Sequence, residues 1–97
     1  MRPSSVHFVP KESIVSLHFP KEPVRLSEAH RAQLKRRVEM AMHLGNGQRG
    51  KCRILFRDRE GLKAVETTIW YFDETSILLK HGISIPMGRV IDVMMPH

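Results

Sequence analysis

From Lys51 to Met95 the chain reads as a run of short strands, and a strongly basic helix leads straight into it. Cys52, Ile54 and Phe56 alternate with Arg53, Leu55 and Arg57, the period-two pattern of a half-buried strand. Asp58-Arg59-Glu60-Gly61 is a turn signal, with Gly61 suited to a positive φ. Lys63 to Phe72 follows as one long strand rich in β-branched and aromatic residues. Strict alternation would put Val65, Thr67, Ile69 and Tyr71 on one face and Glu66, Thr68, Trp70 and Phe72 on the other. With large residues on both faces, such a strand is expected to bend across two halves of a small barrel. Asp73-Glu74-Thr75 makes the next turn. Ser76 to Lys80, Ile83 to Ile85 and Arg89 to Met95 give three more strands, with a reversal at Gly82 and an interruption at Pro86-Met87-Gly88.

Ahead of the strands, Ser27 is placed as an N-cap with Glu28 in the first turn, which predicts a helix from about Glu28 to Leu44. Leu34, Val38, Ala41 and Met42 share one face of it, with the Arg36-Arg37 side turned away. Met40 and Met42 are expected to fill gaps in the core. Gly45-Asn46-Gly47 is the predicted stop. Residues 1–26 contain Pro3, Pro10, Pro20 and Pro23, so no helix is expected to persist there. Within them, Ser13 to Phe19 has strand character, with Val15, Leu17 and Phe19 at period two. This stretch is expected to pack on the barrel or pair with a strand edge. The organisation that follows is a Pro-rich segment with one short strand over 1–26 and a single domain over 27–97. The fold class is α+β, mainly β with one helix: a basic helix followed by a five-stranded SH3-like or Sm-like barrel.

A chain of 97 residues, 41% apolar and 27% charged, has the composition of one globular domain with a modest core. It has no apolar run of membrane-spanning length, and its first residues do not open a signal peptide. A single cysteine, Cys52, excludes an internal disulfide, and a cytoplasmic setting is the simplest expectation. The net charge of +6 is unevenly spread. Residues 25–57 carry nine cations against Glu28 and Glu39, whereas residues 58–97 are net acidic. A local excess of this kind attracts polyanions or acidic surfaces, though a solvated helix face has the same composition.

Readings based on catalysis find no constellation. The six histidines show neither close pairing nor cysteine partners, so no metal site is expected. Cys52 falls on an inward strand position, a place for a small core residue and not for a nucleophile. No phosphate loop or nucleophile elbow is present, and no cofactor is implied. Glu66 and Asp92 are read as ion-pair partners or exposed groups, not as a carboxylate pair. The chain is therefore expected not to be an enzyme.

Phe72-Asp73, then Ile77-Leu78-Leu79-Lys80, then Ile83-Ser84, resembles the bacterial Sm-like RNA chaperone family, Hfq. Gly61-Leu62-Lys63 after a first strand, and the helix before it, are similar too. The resemblance spans roughly Cys52 to Met95 and implies an Sm-like barrel. Met87-Gly88-Arg89 stands near where that family has Tyr-Lys-His, so its uridine pocket is not carried over. The outline also resembles the Rho-binding antitermination protein family, whose Sm-like barrel with a leading helix binds another protein. Together these readings predict a non-catalytic binding module. Its expected partner is RNA or single-stranded nucleic acid, held by a basic face of Arg31, Lys35, Arg36, Arg37, Arg53 and Arg57. The alternative is an adaptor that meets an acidic protein through the same face or through a strand edge, with homo-oligomers forming at such edges.

Overall fold

The computed structural model describes residues 6–48 and 50–95. Its elements run β1 (His7–Phe8), a 3-10 helix (Lys11–Ser16), α1 (Glu28–Gln48), β2 (Cys52–Asp58), β3 (Gly61–Thr67), β4 (Ile69–Phe72) and β5 (Ser76–Leu79). A 3-10 turn (Lys80–Gly82), β6 (Ser84–Pro86), a second 3-10 turn (Met87–Arg89) and β7 (Val90–Met94) complete it. The fold is α+β. One sheet has the order β1-β3-β2-β7 and the other β4-β5-β6. The long strand expected over Lys63–Phe72 is broken at Thr68, so that β3 belongs to one sheet and β4 to the other. The second 3-10 turn makes the opposite corner, carrying the chain from β6 to β7. Among the described residues neither sheet closes on itself, so the expected five-stranded barrel is drawn as two sheets joined at two corners.

Local chemistry accounts for most boundaries. The Ser27 hydroxyl accepts from the His30 N–H at 3.0 Å, satisfying one of the four donors a helix start leaves unpaired. The helix does not stop at Gly45-Asn46-Gly47 but runs on to Gln48. Glycine weakens a helix by about 1 kcal/mol relative to alanine without forbidding it. The chain then turns at Gly50, where a Cβ would lie 2.6 Å from Leu44 Cδ2, so a larger residue there would have to push the Leu44 side chain aside. β2 alternates as expected, with Cys52, Ile54, Phe56 and Asp58 buried. Gly61 closes the hairpin at φ +141.

The Ser13–Phe19 stretch is not a strand. Pro10 precedes a 3-10 helix whose first bond runs from the Ser13 N–H to the Pro10 carbonyl, and Ile14 is the residue buried. Leu17 and Phe19 do pack against the core, but Val15 is left in solvent. The strand of this segment is β1 instead, parallel to β3 with His7 opposite Lys63. The segment continues across the strands through three backbone bonds. The Val9 N–H donates to Ala64, the Arg59 N–H to His18 and the Val24 N–H to Gly88.

α1 lies on β4 and β7, one strand from each sheet. Leu34, Val38 and Ala41 are buried there in a core shared with Phe56, Ile69, Ile77 and Val93. Burying a Leu or Val side chain contributes about 1.5–3 kcal/mol. Met42 packs against this core, whereas Met40 does not fill a gap in it. It is exposed, because it falls outside the arc that faces the strands.

Candidate nucleic-acid interface

Two bulges shape the surface beside α1. β4 pairs with β5 as Ile69 with Leu79, then Tyr71 with Leu78 and Phe72 with Ile77, so Trp70 is the extra residue. A bulge of this kind shifts the alternation by one. Ile69 points into the core, Phe72 also packs against it, and Trp70 and Tyr71 are exposed at 46% and 58%. The face assignments from strict alternation therefore fail beyond Ile69. Tyr71 does not share the buried face of Ile69, and Phe72 does not share the open face of Trp70.

Tyr71 borders a groove of about 380 Å³ between α1 and the end of β4. The helix contributes Arg31, Leu34 and Lys35 to it. The strand side contributes Tyr71, Phe72, Asp73 and Glu74, and Met87 comes from the turn before β7. Leu34, Phe72 and Met87 give the groove an apolar interior beneath two cations and an exposed ring. The Asp73 carboxylate shapes the turn. Its Oδ1 accepts from the Thr75 N–H at 2.8 Å, the Thr75 hydroxyl at 2.8 Å and the Ser76 N–H at 3.0 Å. Those donors, the Thr75 N–H first, hold the Asp73 carboxyl below its ordinary value, so it is ionised at neutral pH.

On the other flank α1 is fastened to β7. Asp92 of β7 opposes Leu55 and Val90 opposes Phe56, so Ile91 is the extra residue. The Ile91 carbonyl lies 2.8 Å from His30 Nε2; a carbonyl only accepts, so Nε2 carries the proton. Arg37 Nη1 donates to Asp92 Oδ1 at 2.6 Å. Arg36 lines the same flank and has no ion pair among the described residues.

The six cations expected to form one face are thus divided. Arg31 and Lys35 share the β4 groove, while Arg36 and Arg37 lie on the β7 flank. Arg53 and Arg57 sit on β2, which β7 separates from the edge where α1 rests. Arg53 is engaged twice, with Glu66 at 2.8 Å and over the Phe8 ring at 5.0 Å. Glu66 is held across the strands by Arg53, whereas Asp92 is held by Arg37 of the helix.

A further charge pair, which composition and motifs do not single out, lies inside the β2–β3 hairpin. Asp58 and Lys63 are both buried, and Lys63 Nζ donates to Asp58 Oδ2 at 2.8 Å. Strand parity is the signal that points to them, since Asp58 continues the inward series 52, 54, 56 and Lys63 the inward series 67, 65. Burial disfavours the Asp58 carboxylate, but the Lys63 ammonium and the N–H groups of Glu60 and Gly61 outweigh it. The carboxyl is held below its ordinary value. Hydrogen bonding to Asp58 correspondingly holds the Lys63 ammonium above its own, against burial. Set in a tight turn, this pair organises the hairpin. Cys52 is a buried core residue, its thiol pushed up by burial to about 11. Among the described residues, no group of three or more His, Cys, Asp or Glu is placed to hold a metal ion, and no helix is long and apolar enough to cross a membrane.

Comparison with known proteins finds no family, no curated protein and no solved structure that matches the chain.

Proposed function

We propose that this protein is a non-catalytic module that binds single-stranded nucleic acid, RNA foremost, in the groove between α1 and β4. The observation that carries the reading is the exposed Tyr71 ring beside Arg31 and Lys35 over an apolar interior. Single strands are held by this combination, in which bases stack on aromatic faces and cations meet the phosphates. Arg31 and Lys35, the cations of the groove, have no acidic partner among the described residues, which leaves their charge for a ligand. The strand order, the bend at Thr68 and the 3-10 turn at Met87–Arg89 support reading the two sheets as an SH3-like or Sm-like small barrel. β1 occupies the outer edge of β3, and α1 rests on β4 and β7, so association between copies would start from β6.

The test is fluorescence anisotropy with a labelled single-stranded RNA at two salt concentrations. If Arg31 and Lys35 meet two phosphates, log affinity falls against log salt with a slope of about −1.4. Absence of binding at low salt, or binding indifferent to salt, rejects the proposal. Recovery instead of a nuclease-resistant acidic protein partner would turn the same cations into an adaptor surface.

A further inference from the structure

Two carboxylates stand in a groove whose cations suit phosphate. An acid there weakens backbone binding, so it needs another use. Asp73 has one, because its Oδ1 accepts three hydrogen bonds that set the turn. Glu74, the next residue, is exposed, lines the groove and has no hydrogen-bond partner among the described residues. An ionised carboxylate only accepts, and it offers two oxygens side by side. The base that answers it with two parallel donors on one edge is guanine, through N1–H and the N2 amino group. Uracil offers one N–H between two carbonyl oxygens, which the carboxylate repels. Adenine and cytosine each place a ring acceptor beside their single amino donor.

We infer that the groove selects guanine in a single strand. Tyr71 stacks on the base, Glu74 reads its N1–H and N2 amino donors, and Arg31 and Lys35 meet the flanking phosphates. The inference rests on the proposed nucleic-acid function and names the base that site prefers. The Asp73 turn supplies preorganisation: it fixes the backbone from which Glu74 projects, so little ordering remains to be done on binding. The bulge at Trp70 has the matching role for the ring, since without it the alternation would carry Tyr71 to the buried side.

The experiment compares labelled RNA nonamers of uridine with the same strand carrying one central guanosine or one central inosine, which lacks the N2 amino group. With the 97-residue chain, guanosine is expected to bind about tenfold tighter than uridine, and inosine to fall between them. Glu74→Gln is expected to bring the guanosine preference below about threefold while all-uridine binding tightens slightly, since one negative charge is gone from the groove. Base-blind binding by the native protein overturns the inference and leaves the nucleic-acid reading standing. So does a guanosine preference that inosine retains in full or that Glu74→Gln does not diminish. Failure of every strand to bind overturns both.

Discussion

On the β7 flank of α1, the bulge at Ile91 frees a backbone carbonyl, and His30 takes it; Arg37 then ties Asp92 from further along the helix. On the β4 flank, the bulge at Trp70 turns Trp70 and Tyr71 out of the core, and the helix meets Tyr71 only across an open groove. The same helix and the same kind of irregularity serve two ends. Where the groups a bulge displaces are consumed by neighbouring side chains, the flank is a joint. Where they are left to solvent beside an open groove, the flank is a surface that can receive something. Basic charge alone does not separate the two flanks, since each carries two of the cations named from the sequence.

The largest effect that tests this contrast is expected from Tyr71→Ala. Losing a stacked base should lower affinity for single-stranded RNA by about tenfold to a hundredfold, with the unfolding temperature nearly unchanged. An unchanged affinity together with a lower melting temperature would make the β4 flank a joint as well. Lys35→Ala comes next. It should weaken binding several-fold and make the salt slope shallower by about 0.7, read from anisotropy titrations. Arg37→Ala should do the reverse, leaving affinity within about twofold while melting falls by several degrees. A partly exposed ion pair contributes up to about 1 kcal/mol, which shifts a domain of this size by roughly 4–8 °C. Pairing it with Asp92→Ala in a double-mutant cycle checks that the loss belongs to this contact.

The smallest effect is expected in mild acid. Asp58 and Asp73 both have native carboxyl values below the ordinary 3.8, so each supports folding fully above that value. The support is lost as pH falls through the lower native values. Stability measured by denaturant titration should therefore hold down to about pH 5 and decline below it, and Asp58→Asn should flatten the decline. Lys63 has the opposite sign: its contribution is complete below its ordinary 10.5 and is lost as pH rises through the higher native value.

Features governed by neighbours along the chain are legible from the residues alone. The Ser27 cap, the alternation of Cys52 to Phe56, the positive φ at Gly61 and the Leu34-Val38-Ala41 stripe depend on local rules, and each is found. The groove is not legible in that way, because it depends on where β4 slips against β5. Periodicity assumes constant alternation, and a bulge breaks it only when a partner strand is in place. Trp70, Tyr71 and Phe72 form an aromatic run of which some part must stay accessible, but which part follows from pairing with Leu78 and Ile77. Ser13–Phe19 misleads for a related reason: Val15, Leu17 and Phe19 fit period two, yet Pro10 favours a 3-10 turn and Ile14 finds the core. The helix overruns its glycines because glycine costs a helix only about 1 kcal/mol relative to alanine, which the rest of α1 outweighs.

The path of the N-terminal segment bears on how the chain acquires its structure. Its three tethers reach Ala64, Arg59 and Gly88, all in the second half of the sequence. The segment, made before the strands it pairs with, therefore waits for the last of them before it has anything to hold. α1 can form by itself as it emerges, since its bonds are local, but β1 and the wrap over the strands close large loops. Folding should accordingly be a late, concerted event dominated by distant contacts, with the helix present early and the N-terminal wrap settling last.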